Sequence, residues 1–211
     1  MNKTHIIAEI GINHNGSLDT ALRLIDMAYL AGCDSVKFQK RTPDVCVPEK
    51  QKNKIRSTPW GDMKYIDYKH KVEFEEEEYG VIDDYCKQKE IQWSASPWDL
   101  QSLKFLSDYD LPYIKIASAL LTDDKLLEAA CLTGKKIIAS TGMSTIQEVD
   151  HAVKIMQKNA SNFALLHCNS SYPAKIEELN LSCIRTLKDR YGCEVGYSGH
   201  EFRLGTSVAA V

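Results

Sequence analysis

The chain has no apolar run long enough to cross a bilayer, and residues 1–5 lack both the basic start and the apolar core of a signal peptide. Charge of one sign is not in large excess either, because the 211 residues carry a formal net charge of −3. This balance gives no reason to expect nucleic acid or an anionic membrane as a partner. We therefore expect a cytoplasmic protein without membrane or nucleic-acid partners.

Paired cysteines and a dinucleotide-binding fingerprint are also missing. The seven cysteines are scattered and never occur as CxxC, which argues against a disulfide framework or a zinc knuckle. The glycines between Gly11 and Gly16 do not follow the GxGxxG spacing, so a nicotinamide cofactor is not indicated. With 44% hydrophobic residues, the chain has enough apolar material for one large core.

Seven short apolar runs are present, and each ends in polar residues before a stretch with helical spacing. This strand-then-helix order is typical of parallel βα units, and in a (β/α)8 barrel the chemistry lies at the carboxyl ends of the strands. The sequence therefore predicts an α/β fold, a (β/α) TIM barrel of which seven strands are evident. The predicted strands cover residues 6–11, 35–39, 91–94, 113–116, 136–140, 163–168 and 194–197.

The predicted helices follow these strands, with one interruption. Residues 40–72 contain prolines, glycines and many charged residues that break any periodicity, so we expect a long excursion that serves as a substrate lid. The acidic run 75–78 is expected to open a helix at its positive end. Ser144 is an expected helix cap. The remaining predicted helices cover residues 17–31, 100–109, 123–132, 145–158 and 179–191.

Lys37 and Lys115 each lie between two apolar residues of a predicted strand. An ammonium group is costly to bury unless an anion meets it. Each lysine could pair with an inward carboxylate such as Glu9. Because two lysines face one evident strand carboxylate, a small doubly anionic substrate is the alternative. Hydroxyl donors that could complete such a site stand at the strand ends: Ser96, Ser118, Ser140, Thr141 and Ser198.

The sequence pattern around the histidines does not select one role for each of them. His200 ends the seventh strand, where a hydrogen-bonding or general-base role is more common than metal ligation, and no second ligand stands at a recognisable spacing. His14 could equally cap the first helix, and His167 could be a core residue whose ring nitrogens are hydrogen-bonded within the protein. Tyr172 either lies over a sugar or packs a loop before Pro173.

Seven segments in order across the chain resemble the sialic acid synthase family, which comprises the N-acetylneuraminate synthases and their legionaminate and pseudaminate relatives. The resemblance implies a (β/α)8 barrel that condenses phosphoenolpyruvate with an N-acetylated mannosamine-type sugar. It further implies a divalent metal, Mn²⁺ or Mg²⁺, and release of phosphate. The matching segments are AEIGINHNG (8–16), SVKFQK (35–40), SASPWD (94–99), YIKIAS (113–118), IIASTGMS (137–144), LLHCNSSYP (165–173) and GYSGHE (196–201).

The resemblance also implies residue roles. The predicted catalytic residues are Glu9, Lys37, Lys115 and Tyr172. Glu9, Gln39 and Tyr172 are expected to face the sugar, and His200 to be one of two metal histidines. The residues implied to hold phosphoenolpyruvate are Lys37, Lys115, Ser96, Ser118, Ser140 and Ser198.

Two positions depart from the family pattern. Leu120 stands where an acidic residue is common, and Ser170 stands where the family has asparagine, with Asn169 adjacent and predicted to contact substrate. The sequence also stops at Val211, inside the helix expected after strand seven. We therefore expect the eighth strand and the family's C-terminal antifreeze-like domain to be absent from it. The 211 residues alone are expected to be inactive, and the full-length protein to be a homodimer.

Three alternative functions stay open. Another phosphoenolpyruvate-dependent sugar-acid synthase would differ only in its acceptor, which a panel of aldoses would reveal. A Schiff-base aldolase would use Lys115 or Lys37 as nucleophile, and borohydride trapping with pyruvate would mark that lysine. A non-catalytic sugar-acid binding module would bind ligand in calorimetry without turnover.

Overall fold

A computed structural model describes residues 3–202 and 204–211. The prediction on a signal peptide in residues 1–5 therefore falls partly outside the described residues. The chain divides into two compact units, residues 1–112 (unit 1) and residues 113–211 (unit 2). Each unit has its own parallel sheet and its own helices, and each is described separately below.

Unit 1 is built on a three-stranded parallel sheet in the order β1-β2-β5, so β2 is central. The central strand is buried along nearly its whole length, with Val36 and Phe38 completely inaccessible. Ile25 and Ile82 of the flanking helices are also completely inaccessible, and the Tyr79 ring lies edge-on to Phe38. The strands and helices around this core are β1 (Ile7–Gly11), α1 (Leu18–Leu30), β2 (Ser35–Lys40), α5 (Glu76–Lys89), β5 (Gln92–Pro97) and α6 (Leu100–Leu106).

The segment between β2 and α5 has regular structure, so the prediction of a non-periodic excursion was wrong in this respect. Prolines and glycines mark the ends of short elements here. Pro43 begins a helix, Pro48 precedes another, and Gly61 begins a strand with a φ of +94°. The elements are α2 (Pro43–Cys46), α3 (Glu49–Lys52), the antiparallel hairpin β3 (Ile55–Thr58) and β4 (Gly61–Lys64), and α4 (Tyr65–Val72).

Unit 2 is built on a four-stranded parallel sheet in the order β6-β7-β8-β9. Helices follow its strands, and Leu126, Leu127 and Met156 are fully buried. The elements are β6 (Tyr113–Ile116), α7 (Asp124–Cys131), β7 (Lys136–Ser140), α8 (Ile146–Asn159), β8 (Phe163–Cys168), α9 (Ser182–Tyr191), β9 (Glu194–Ser198) and α10 (Leu204–Ala209). Two short 3-10 turns lie at Ser118–Leu120 and Ile176–Glu178.

Side-chain caps fix the start of several helices and correct two predictions. Thr145 caps α8, because its side chain and that of Glu148 form a reciprocal capping box. The expected cap, Ser144, instead donates to the carbonyl of Gly142. Ser17 caps α1, so His14 does not. The helix expected from residue 179 begins three residues later, after a 3-10 turn.

All seven predicted strands are present, and the α/β class with parallel sheets is confirmed. The barrel was predicted with seven of its eight strands in this chain; these seven form sheets of three and four strands, and residues 3–202 and 204–211 contain no closed barrel. Closure requires a continuous ladder of strand pairs, which sequence periodicity does not specify. None of the described helices has the length and apolar composition needed to cross a membrane.

Candidate active site

In unit 1, a polar cluster lies at the carboxyl ends of β1, β2 and β5, and we call Glu9, Lys37, Gln39 and Ser96 the Lys37 cluster. The sheet register places Glu9 beside Lys37, and Gln39 beside Ser96. The Lys37 ammonium is 2.5 Å from Glu9 Oε2 and donates to Ser96 Oγ at 3.0 Å. Lys37 is 5% exposed, whereas the Glu9 side chain is 48% exposed. The expected inward carboxylate partner is therefore present for Lys37, and it reaches solvent.

Gly11 permits the close approach within this cluster. Its φ is +56°, a left-handed conformation, and the register of β1 shifts between Glu9 and Gly11. A Cβ atom at Gly11 would lie 2.9 Å from Glu9 Oε1 and 3.3 Å from Gln39 Nε2. The glycine thus leaves room for the two polar side chains at the end of β1.

The Gln39 amide is held between two charged side chains. Its Nε2 donates to Glu9 Oε1 at 3.4 Å, and its Oε1 accepts a hydrogen bond from Arg41 Nη2. Because a guanidinium group can only donate, this contact fixes the amide oxygen toward Arg41 and the amide nitrogen toward Glu9. Arg41 therefore fixes the orientation of the Gln39 amide within the Lys37 cluster, with the amide nitrogen toward Glu9.

In unit 2, hydroxyl groups surround Gly142, which follows β7. The Gly142 backbone N–H donates to Ser118 Oγ at 3.1 Å. A Cβ atom at Gly142 would lie 2.4 Å from Ser170 Oγ, 2.8 Å from Ser118 Oγ and 2.9 Å from the Cys168 carbonyl oxygen. The hydroxyl groups of Ser118 and Ser170 and the Cys168 carbonyl oxygen thus fill the space that a side chain at position 142 would need.

Two hydroxyls of unit 2 are buried without a hydrogen-bond partner among the described residues: Ser140 Oγ and Ser170 Oγ. Ser140 is the last residue of β7 and is completely inaccessible. Leaving a buried hydroxyl unpaired costs about 1–3 kcal/mol. A polar ligand or water at the strand ends would recover this free energy, which is the usual character of a binding site.

His200 lies beside the end of β8, where it contacts three residues. Its Nδ1 is 2.6 Å from the Asn169 carbonyl oxygen, so the neutral ring carries its proton there and Nε2 accepts from the Tyr172 hydroxyl at 2.7 Å. The Tyr172 and His200 rings stack with centroids 3.9 Å apart. Cys168 Sγ is 3.9 Å from His200 Nδ1.

These contacts shift two pKa values in opposite directions. Burial raises the pKa of the Cys168 thiol, whereas hydrogen bonds to His200 and Ser118 lower it, and the net change is downward. Burial lowers the pKa of His200, but the hydrogen bond and the charge of Cys168 outweigh burial and leave this pKa above its usual value. The positive charge of Lys115 lowers both values, which places its ammonium near this pair.

The other predicted residues of unit 2 lie at strand ends or in the adjoining loop. Ser198 is the last residue of β9 and is paired in register with Cys168. The Asn169 side chain is used within its loop, donating to the Glu178 carbonyl and accepting from the Ser171 N–H. Its contact with a substrate stays a prediction. His167 is a satisfied histidine, because its Nε2 is 2.6 Å from the Leu179 carbonyl oxygen.

A metal site does not fit the described residues as they stand. No group of three or more His, Cys, Asp or Glu side chains in residues 3–202 and 204–211 is arranged to hold an ion. His200 supplies one imidazole, and both of its nitrogens already make hydrogen bonds. A cation at His200 would need that hydrogen bonding to change and further ligands to join.

Sequence reasoning missed Arg41, Gly142 and Ser170 as site residues. Arg41 was included in the predicted excursion of residues 40–72 and given no role, and Ser170 was noted only as a departure from a family pattern. The run Asn169-Ser170-Ser171 after a buried strand is the signal that could have found Ser170, since polar residues at that position line a strand end. No sequence signal would have identified the contact between Gly142 and Ser170.

Comparison with known proteins gives consistent matches over nearly the whole chain. The model of the NeuB family matches residues 24–211. The N,N'-diacetyllegionaminic acid synthase of Campylobacter jejuni is 36% identical over the whole chain, which covers 65% of that protein. The N-acetylneuraminate-9-phosphate synthase of Drosophila melanogaster is also 36% identical over the whole chain, which covers 58% of it.

A solved structure agrees with these relatives. The N-acetylneuraminic acid (sialic acid) synthetase of Leptospira borgpetersenii, crystallised with citrate, is 34% identical and superimposes with a TM-score of 0.90. The match covers 99% of this chain and 69% of that structure. The chain thus spans roughly two thirds or less of the length of the two curated relatives above.

Proposed function

Because the chain belongs to the NeuB family, we propose that it contributes the synthase activity of an enzyme that condenses phosphoenolpyruvate with N-acetylmannosamine or a related amino sugar. The products are a nonulosonic acid and inorganic phosphate. The relatives named above, a legionaminic acid synthase and an N-acetylneuraminate-9-phosphate synthase, support this reaction class.

The buried ammonium of Lys37 is the observation that carries this proposal. Its partners are one hydroxyl, Ser96, one half-exposed carboxylate, Glu9, and the Phe38 carbonyl oxygen at 3.5 Å. An anionic group of phosphoenolpyruvate can bind Lys37 and Ser96, because ammonium and hydroxyl donors suit phosphate and carboxylate oxygens. Glu9 is then free to accept a hydrogen bond from a sugar hydroxyl, with Gln39 beside it.

In unit 2, we propose that Ser118, Ser140 and Ser198 donate to phosphoenolpyruvate and that Lys115 neutralises part of its charge. The unpaired Ser140 hydroxyl supports this role. Tyr172, which stands exposed above His200, is proposed to face the sugar. The family resemblance further implies Mn²⁺ or Mg²⁺ with His200 as one ligand; because the described residues supply only this imidazole, no step of the proposed reaction depends on the metal.

The proposed reaction balances as follows. The double bond of phosphoenolpyruvate supplies the electron pair by which its C3 bonds to the aldehyde carbon of the open-chain sugar, and the aldehyde oxygen takes up a proton. Water adds to the cationic C2 and loses a proton, and phosphate then leaves to give the 2-keto acid. Holding the two reactants in contact is the main task of the site, together with stabilising the developing charges. Glu9 is placed to orient the sugar or to accept a proton.

The family resemblance also supports a (β/α)8 barrel as the parent fold of these parallel strands, a homodimer and a cytoplasmic location, and these too are proposals. The alternation of strand and helix in each unit is consistent with the barrel.

The decisive assay combines the protein with phosphoenolpyruvate, N-acetylmannosamine and Mn²⁺, and measures released phosphate together with the sugar-acid product. We expect release that depends on both substrates. No phosphate release with any mannosamine-type acceptor would overturn the proposal.

Lysine variants test the site assignment. Lys37→Met should weaken phosphoenolpyruvate binding about tenfold or more and affect acceptor binding less, because it removes a charge-assisted contact. Lys115→Ala should behave in the same direction. The matched control is Lys89→Met, which also breaks a lysine–carboxylate pair, at 2.8 Å with Asp26, but away from the strand ends. Equal weakening of both ligands in Lys37→Met would count against the assignment.

A further inference from the structure

His14, in the loop between β1 and α1 of unit 1, is a buried polar residue to which the proposed reaction gives no role. It is 2% exposed, and Ser17 rather than His14 caps α1. The His14 ring stacks on the Phe74 ring, with centroids 3.9 Å apart, and is tilted against the Phe38 ring at 6.1 Å. These aromatic contacts hold the imidazole in one orientation inside the core.

The ring nitrogens of His14 contact the backbone of two glycines. Nδ1 accepts a hydrogen bond from the Gly16 N–H at 3.1 Å, and the ring also hydrogen-bonds to the Gly11 backbone. Burial lowers the pKa of His14 to about 4, although the Gly11 contact raises it, so the ring is neutral at neutral pH. A neutral imidazole has one donor and one acceptor nitrogen. Because Nδ1 is the acceptor, Nε2 carries the proton and donates it to the Gly11 carbonyl oxygen.

Both glycines have backbone conformations that this loop must maintain. Gly11 and Gly16 have φ values of +56° and +68°, in the left-handed region that favours glycine. A Cβ atom at Gly16 would overlap the Lys71 carbonyl oxygen, so this end of the loop lies directly against the end of α4. His14 therefore connects a turn at the end of β1 with a second turn that packing on α4 holds in place.

Gly11 is the link between His14 and the Lys37 cluster. The register of β1 against β2 shifts between Glu9 and Gly11, and Glu9 Oε1 lies 2.9 Å from the position that a Cβ atom on Gly11 would take. The carboxylate that pairs with Lys37 and accepts from the Gln39 amide thus rests against the Gly11 backbone. A change in the Gly11 backbone would move the surface on which this carboxylate packs.

We propose that His14 is a positioning residue for Glu9: by holding the Gly11 carbonyl, its imidazole fixes the turn at the end of β1 and the direction in which the Glu9 carboxylate faces the acceptor sugar. This inference deepens the proposed function and rests on it, because Glu9 is there assigned to the acceptor. A histidine that only fills the core would instead affect the binding of both substrates alike when it is replaced.

Three substitutions separate the two hydrogen bonds of His14. His14→Gln keeps a donor as many bonds from the backbone as Nε2, His14→Asn keeps an acceptor as many bonds away as Nδ1, and His14→Phe keeps the ring and loses both. In steady-state kinetics, His14→Phe and His14→Asn should raise KM for N-acetylmannosamine about threefold to tenfold, as expected for one hydrogen bond, and change KM for phosphoenolpyruvate by less than about twofold. His14→Gln should recover most of the loss.

The control for lost core packing is Ile25→Val, because Ile25 is fully buried on α1 and lies outside the loop. It should leave both KM values unchanged. A rise in the acceptor KM in this control, equal rises of both KM values in His14→Phe, or equal behaviour of His14→Gln and His14→Asn would overturn the inference while leaving the synthase function intact.

Two measurements without turnover separate this inference from the proposed function. Nitrogen-15 NMR of the unsubstituted protein should show His14 with a protonated Nε2, and a protonated Nδ1 would overturn the inference. Crystal structures of His14→Gln and His14→Asn should show the Glu9–Lys37 contact, 2.5 Å in the unsubstituted protein, kept in the first variant and lengthened in the second. Glu9 unmoved in both variants overturns the inference even in an active enzyme. Glu9 displaced in His14→Asn alone upholds the positioning role even if no mannosamine-type sugar reacts, a result that overturns the proposed function instead.

Discussion

At the scale of single residues, Gly142 illustrates how a missing side chain makes room for polar groups. Gly142→Ala would place a methyl group 2.4 Å from Ser170 Oγ and 2.9 Å from a backbone oxygen, so the strand-end loop must shift. We expect a loss of roughly 1–3 kcal/mol in the free energy of unfolding and weaker phosphoenolpyruvate binding. Urea unfolding followed by circular dichroism, together with calorimetry, would measure both.

The control for this substitution is Gly205→Ala. Gly205 lies in α10, and a Cβ atom there would meet nothing within 4 Å. Because alanine favours helix over glycine, this variant should be neutral or slightly more stable. Similar behaviour of the two variants would mean that the loop around Gly142 is not closely packed.

At the scale of elements, the start of α8 tests which of two adjacent hydroxyls caps the helix. Thr145 Oγ1 accepts from the Glu148 N–H at 3.3 Å, and Glu148 Oε2 accepts from the Thr145 N–H at 2.6 Å. Thr145→Ala should therefore lower the free energy of unfolding by about 1 kcal/mol. Ser144→Ala, one residue earlier, removes a hydroxyl whose hydrogen bond within the described residues is to the Gly142 carbonyl at 3.4 Å, and it should have a smaller effect. Chemical denaturation of both variants measures the two losses in the free energy of unfolding. A larger loss in Ser144→Ala than in Thr145→Ala would make Ser144, not Thr145, the cap of α8.

At the scale of the whole molecule, two buried bases should shape the dependence of stability on pH. Burial lowers the pKa of His14 from 6.5 to about 4, and that of Lys69 from 10.5 to about 8. In both cases the unfolded chain binds the proton more tightly, so the contribution of His14 to stability falls as pH falls from 6.5 to 4, and that of Lys69 falls as pH falls from 10.5 to 8. Each of these two contributions should amount to about 3 kcal/mol. The buried Cys86 and Cys131 thiols, whose pKa values rise from 9.0 to about 12 and to about 11, act in the opposite direction above pH 9.

Tryptophan fluorescence can follow this effect, because all three tryptophans lie in residues 60–98, within unit 1 with both bases. His14→Phe should flatten the acidic flank, since His14 stacks on Phe74 and its Nδ1 accepts from the Gly16 N–H. Lys69→Met should make stability fall more steeply as pH rises from 8 to 10.5, where Arg41, Cys46, Glu73, Tyr65 and Tyr68 are the charged or titratable neighbours of Lys69. Each variant serves as the control for the other. An unchanged pH dependence of stability in either variant would contradict its assignment.

The sequence alone determined the order of the parallel strands and the helices that flank them in each unit, the family, and the presence of Lys37 in a buried strand. These features are local, because apolar periodicity, turn residues and short motifs are written in neighbouring positions. The need for an anion near Lys37 also followed from the sequence, since a lysine between apolar residues must find one.

Only the tertiary structure decided which groups meet. Glu9 was a candidate partner of Lys37, and its 2.5 Å contact depends on the register of β1 against β2 and on the shift at Gly11. The tertiary structure also decided the hairpin between β2 and α5 and the burial of Arg41 and Lys69, which lie 28 positions apart. It decided the approach of Ser170 to Gly142 as well, and these two residues are also 28 positions apart. Such contacts depend on packing through space, where one extra methyl group or one unpaired donor changes the free energy by as much as a whole local preference does.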